Sequence, residues 1–139
     1  MEAMKLLMFQ AKRFRFRTFE KTLELVPDLD LEEEILEAAV IFLQVESRDA
    51  ADRDSVFSKT LKNIKWLANK RGLKKVVLHS FTHLGGETAT PEFAQPFLEQ
   101  LAERLRSVGY AVWITPFGYV CEWDLSIYGE SLAKVFKAL

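Results

Sequence analysis

The run Ala38-Ala-Val-Ile-Phe-Leu-Gln-Val45 constrains the fold of this chain more than any other stretch. It is nearly all apolar, as expected of a central strand covered on both faces of a sheet. Shorter apolar runs at Lys5 to Ala11, Val76 to Leu78 and Tyr110 to Ile114 supply neighbours for it. Between them lie helix patterns. Asp54 can cap a helix that turns Val56, Phe57, Leu61, Ile64, Leu67 and Ala68 inward, with Gly72 past its end. Thr90-Pro91 reads as an N-cap followed by proline in the first helical position. Phe97, Leu98, Leu101, Leu105 and Val108 then continue at helical spacing to Gly109. Pro96 lacks an N–H, so either this helix begins near Gln95 or its first turns are kinked.

The ends of the chain complete the pattern. Arg13-Phe-Arg-Phe-Arg17 alternates strictly and forms a second strand, with its arginines on one face and its phenylalanines on the other. Pro27 and the acidic stretch Asp28 to Glu34 read as an exposed loop or a short turn of helix. A turn at Pro116 to Gly118 leads into a strand through Ile127, and a last helix opens near Glu130. The order β-β-β-α-β-α-β-β-α predicts an α/β fold, a mixed β-sheet sandwich with covering helices. The 139 residues form a single domain, 1–139, and the helix still running at Leu139 suggests a fragment of a longer protein.

Composition narrows the class of function. Nineteen basic and twenty acidic residues leave a formal charge of −1. The chain therefore lacks the strongly basic balance of an autonomous RNA-binding domain, and any RNA contact must be local or shared with another domain. The single cysteine, Cys121, excludes an intramolecular disulfide framework and suits a reducing compartment. The start has neither the apolar length nor the charge order of a signal peptide, and no run reaches the length of a membrane span. A cytoplasmic domain is expected.

Chemistry concentrates after two of the short strands. One segment is Ser80-Phe-Thr-His83-Leu-Gly-Gly-Glu87-Thr-Ala-Thr-Pro91-Glu-Phe-Ala94, the other Pro116-Phe-Gly-Tyr119-Val-Cys-Glu-Trp-Asp-Leu-Ser-Ile-Tyr-Gly129. Polar and glycine residues beyond adjacent strand ends are where open sheets place ligand sites. His83 there either acts as a general acid or base, orients a water, or fixes its own loop by hydrogen bonding. His79 and His83 flank a strand end rather than sharing a helix face, so no metal site is expected. Cys121 is either a nucleophile paired with His83 or a buried small hydrophobe, and the adjacent Glu122 disfavours the thiolate. Gly85-Gly86 reads as a plain turn more than as a phosphate cradle. Tyr119 and Phe117 either stack on an unpaired base or, for Phe117, belong to the core. The Arg13, Arg15 and Arg17 stripe either meets RNA phosphates or guards an edge strand with charge.

The two segments together resemble the N-terminal editing domain of archaeal-type threonyl-tRNA synthetases. The likeness is sharpest at His83-Leu with Ala89 and Pro91, and at Pro116-Phe-Gly-Tyr119 with Gly129, Leu132 and Ala133. It is weaker at Phe42-Leu-Gln-Val45-Glu46, and in the N-terminal quarter it is one of character only. The resemblance implies the fold of the D-aminoacyl-tRNA deacylases, a homodimer, and no cofactor. It implies a pocket for the 3′ end of aminoacylated threonine tRNA, in which seryl ester, and D-aminoacyl ester too, is hydrolysed by water. Substrate-binding residues carried over by position are Val45, Glu46, Phe81, Thr82, Ala94, Phe117, Gly118, Tyr119, Val120 and Cys121. Catalysis would involve His83, backbone N–H groups at the oxyanion and the ribose 2′-hydroxyl. Where the family commonly has lysine after Pro-Phe-Gly-Tyr-x, this chain has Cys121. Where it commonly has an acid on the last helix, this chain has Lys134, which is expected to bring the missing positive charge from the opposite wall. The resemblance leaves two readings, an editing hydrolase and a non-catalytic module of the same fold that binds the tRNA end or dimerises. The catalytic synthetase domain would stand in cis or in trans.

Overall fold

The computed structural model describes residues 4–82, 84–85 and 87–139. Its elements are β1 (Lys5–Lys21), β2 (Glu32–Gln44), α1 (Arg53–Asn69), β3 (Lys75–Ser80), α2 (Pro91–Ser107), β4 (Ala111–Ile114), β5 (Tyr119–Ile127) and β6 (Lys134–Ala138). Short 3-10 turns at Ser47–Asp52 and Ser131–Ala133 precede α1 and β6.

The strands form one mixed sheet in the order β4-β3-β2-β1-β5, with β6 also on β1. The two crossovers that carry α1 and α2 make β2–β3 and β3–β4 parallel, whereas β1 pairs antiparallel with β2, β5 and β6. The 38–45 run behaves as expected, every residue from Ala38 to Val45 being buried. Both helices cover the same face, where Ile41, Leu43, Val76 and Leu78 meet Ile64, Leu67, Phe97 and Leu101. The other face carries a cluster of Phe9, Phe14, Phe16, Val40, Phe42 and Val77 with no helical member. It is closed partly by the curl of β1 and β5, through Cys121, Leu125 and Ile127.

Several expectations change. The two N-terminal strands are one strand of 17 residues, which carries a bulge opposite β5 between Ala11 and Arg13. A bulge bends a strand and shifts its alternation by one residue, so a single bent strand looks like two in sequence. Glu32 to Glu34 belong to β2 instead of a loop or helical turn, because they lie opposite Arg17, Phe16 and Arg15 in the ladder. The last helix is absent. Ser131–Ala133 is a 3-10 turn, and Lys134–Ala138 is a strand that fills the free edge of β1 from Phe9 to Lys5. Pro91 opens α2 at its first position and Pro96 sits inside the same helix, an exposed residue whose missing N–H leaves the Glu92 carbonyl to water. No helix among the described residues is long and apolar enough to cross a membrane.

Candidate functional site

Parallel strands β2, β3 and β4 end at the same edge of the sheet, and the segments beyond their C-terminal ends surround a pocket of about 370 Å³. Val45 continues β2. His79 and Ser80 close β3, and Phe81 and Thr82 come directly after it. Thr88, Ala89, Pro91 and Ala94 lead into α2 and occupy the helix side. Thr115 to Gly118 extend from β4, and Tyr119, Val120, Cys121 and Trp123 come from β5. Thr22 and Leu23, just past the far end of β1, complete the lining.

Hydrogen bonding fixes these loops. The Phe81 N–H donates to the Leu43 carbonyl at 3.0 Å, the Ala89 N–H to the Val45 carbonyl at 2.9 Å, and the Ser47 N–H to the Glu87 carbonyl at 2.8 Å. Gln44, buried at the end of β2, grips the loop at both ends: its Oε1 accepts from the Leu84 N–H at 2.9 Å and its Nε2 donates to Thr88 Oγ1 at 3.1 Å. The turn before β5 needs Gly118, whose φ is +82° and whose missing Cβ would lie 2.9 Å from Val26 Cγ1. Both the left-handed backbone and the close approach exclude a side chain there. The Thr22 N–H donates to the Gly118 carbonyl at 2.7 Å. Tyr119 Oη donates to the Pro27 carbonyl at 2.5 Å and accepts from the Leu29 N–H at 2.7 Å, so this turn is strapped to the β1–β2 loop.

Of the residues assigned to the site from sequence, Val45, Phe81, Thr82, Ala94, Phe117, Gly118, Tyr119, Val120 and Cys121 are together in this lining. His83 lies outside the described residues. Glu46 is fully buried and turned away from the pocket, its Oε2 accepting from Lys5 Nζ at 2.6 Å and its Oε1 lying 3.4 Å from Arg48 Nε. Its backbone pairs with Thr88, so it supports the wall from behind. Lys134 stands exposed at the start of β6 opposite Phe9, away from the residues lining the pocket. It belongs to a strand where a helix was expected, and no lysine or arginine occurs among the described lining residues.

The arginine stripe is also relocated in meaning. β1 is flanked by β2 on one side and β5 on the other, so Arg13, Arg15 and Arg17 do not guard an edge. Each meets acids: Arg13 with Glu34 at 2.7 Å, Arg15 with Glu32 at 2.6 Å and with Asp124 at 3.2 Å, and Arg17 with Asp30 at 3.7 Å. These pairs balance the charge of the stripe locally.

Thr22, Leu23 and Thr115 line the pocket without a signal of their own in the sequence. Thr22 and Leu23 come from a loop far away in the chain, and only the curl of β1 delivers them. His79 and Thr115 meet because β3 and β4 are neighbours, with His79 Nδ1 2.9 Å from Thr115 Oγ1. Burial holds the His79 imidazole down to about 4, well below its ordinary 6.5, so it is neutral at pH 7. Burial pushes the Cys121 thiol up, which keeps it protonated and a weak nucleophile. Among the described residues no group of three His, Cys, Asp or Glu side chains could hold a metal ion. The described lining forms a cleft without Lys, Arg, Asp or Glu, with small apolar walls at Val45, Ala89 and Ala94 and hydrogen-bonding groups spread between them. Such a cleft suits a small polar ligand held by neutral groups.

A threonine–tRNA ligase of Thermofilum pendens is 30% identical over 138 residues, covering 98% of this chain and 22% of the relative. One from Hyperthermus butylicus is 32% identical over 140 residues, covering 96% and 22%. The chain thus spans about a fifth of the length of these curated relatives. Among solved structures, the c-Myc DNA Unwinding Element Binding Protein superposes with a TM-score of 0.64 at 13% identity, over 97% of this chain and 98% of that one. At that identity the likeness concerns fold alone, and the fold is a mixed α/β one. The model of the archaea-specific editing domain of threonyl-tRNA synthetase matches residues 4–139, and this chain belongs to that family.

Proposed function

We propose that this domain removes serine from mischarged threonine tRNA by hydrolysing the ester to the 3′-terminal adenosine. The observation that carries the reading is the convergence, in one uncharged cleft, of the residues that the resemblance names from both distant segments. A synthetic site that accepts threonine rejects serine by one methyl group, worth about 1–3 kcal/mol, so accuracy calls for a second, hydrolytic site. Ala94, Ala89 and Val45 give that site a close apolar wall.

In the reaction, water attacks the ester carbonyl. Backbone N–H groups beside the Pro116 to Gly118 turn stabilise the oxyanion, the bond to the ribose 3′ oxygen breaks, and that oxygen leaves with a proton. The ribose 2′-hydroxyl helps to position the water, and His83 acts alongside it. Recognition through backbone groups would admit D-aminoacyl esters as well. The synthetase domain acts in cis or in trans, and the uncovered sheet face, which includes Trp123 and the half-exposed Phe136 opposite Leu7, mediates a two-fold dimer.

A second reading is favoured by one feature, the lack of any lysine, arginine or carboxylate in the described lining. It makes the domain a module that holds the tRNA end without cleaving it. Incubating the domain with seryl-tRNA made on threonine tRNA separates the two. Release of serine, with loss of activity when the terminal residue is 2′-deoxyadenosine, is the expected result. Tight binding with no release would establish the module instead.

A further inference from the structure

A pocket whose described lining carries no Lys, Arg, Asp or Glu draws its chemistry from neutral groups. Among the described lining residues the titratable ones are His79, Tyr119 and Cys121. Tyr119 is committed to the β1–β2 loop, its hydroxyl both donating and accepting there. Cys121 is kept as a thiol by burial.

His79 differs from both. It is 6% exposed, and its ring lies 4.8 Å from that of Phe42 and 6.2 Å from that of Phe81, so its orientation is fixed by packing. Thr115 Oγ1 takes up Nδ1. Nε2 has no hydrogen-bond partner among the described residues, while its residue lines the pocket. One nitrogen is therefore anchored and the other is available, the arrangement that sets the tautomer of a working imidazole.

We propose that His79 holds the attacking water: its Nδ1–H donates to Thr115 Oγ1, and its Nε2 accepts a hydrogen bond from the water. This rests on the hydrolase reading given above. As the water oxygen bonds to the ester carbon, its proton passes to Nε2. As the carbon–oxygen bond to the ribose breaks, the imidazolium returns that proton to the 3′ oxygen, leaving free serine, a 3′-hydroxyl and neutral His79. The aromatic surroundings disfavour the imidazolium, which makes it short-lived and a ready donor to the leaving oxygen. Thr115 acts through His79 and is a positioning residue.

The test uses the domain with seryl-tRNA in single turnover between pH 3.5 and 8 (about the range in which an imidazole lowered by burial titrates). It adds the ring ¹⁵N resonances of His79 with and without serine amide-linked to 3′-amino-3′-deoxyadenosine. His79→Phe should slow the chemical step by about 10²-fold, the low end for a positioned acid–base group, with KM little changed. Thr115→Val, which keeps the shape, should slow it less. The wild-type rate should fall in acid with a midpoint near 4, and this limb should persist in His83→Ala and vanish in His79→Gln. The amide analogue should shift the Nε2 resonance. Serine release with an unmoved Nε2 resonance, or an acid limb that tracks His83 and not His79, would overturn this inference alone. A wild-type domain that binds the analogue and releases no serine would overturn the hydrolase reading and the proton step together.

Discussion

The two ends of β1 handle charge in opposite ways. Near its start, Lys5 and Glu46 form one ion pair at 2.6 Å with side chains 11% and 0% exposed. Beyond the bend, Arg13, Arg15 and Arg17 share their acids in an open ladder in which Arg13 and Glu34 are 39% and 48% exposed. The first pair lies behind the wall that Glu46 builds with Thr88, whereas the ladder faces water on the far ribbon. A buried pair is held in a low-dielectric setting where loss of one partner strands the other. An exposed pair is already solvated and screened. The fold therefore keeps a buried charge pair behind the pocket, exposed charges on the ribbon, and none in the described lining between.

This contrast predicts a steep gradient of mutational effects. Lys5→Met leaves Glu46 buried without its ion-pair partner at 2.6 Å, and should lower stability by about 3–5 kcal/mol in urea titration. A loss below about 1 kcal/mol would mean that the two ends of β1 do not differ in the way described.

His79 gives the next effect and a direction in pH. Its folded value is about 4, below the 6.5 of an exposed imidazole, so as pH falls the unfolded chain takes up the proton first. The stability it contributes is complete above pH 6.5, declines between 6.5 and about 4, and is gone below that. The loss should amount to about 3 kcal/mol, and His79→Phe should flatten this part of the profile. A wild-type profile already flat over that interval would show that the pocket wall is wetter than its packing implies.

Gln44→Leu removes both grips on the loop from Leu84 to Thr88 and should cost about 1–3 kcal/mol, with faster hydrogen exchange at the Leu84 amide. Arg13→Gln, on the open ladder, should cost no more than about 0.5 kcal/mol and become neutral in high salt. A larger loss there would make the ribbon a structural element in its own right.

The same geometry decides how much of the molecule was legible in the sequence. The 38–45 strand, both helices and the two pocket segments are written in local pattern, because burial on both faces and helical spacing each leave a periodic trace. The 131–138 segment is not. Leu132, Ala133, Val135, Phe136 and Ala138 suit a helix locally, and pairing with the far-off residues Lys5 to Phe9 decides for a strand. A similar limit applies to the site. Phe117 to Val120 announce themselves by the Pro-Phe-Gly-Tyr turn. Thr22, Leu23 and Thr115 enter the lining only through the curl of β1 and the order β4-β3-β2. His79 reads as a strand residue until its neighbour across β4 is known.

In the proposed reaction the close apolar wall at Val45, Ala89 and Ala94 discriminates a seryl from a threonyl ester. Single-turnover release of the two amino acids from the same threonine tRNA measures that directly. Serine should be lost faster, by about 10- to 200-fold, the range one methyl group commands. Equal rates for the two esters would contradict it.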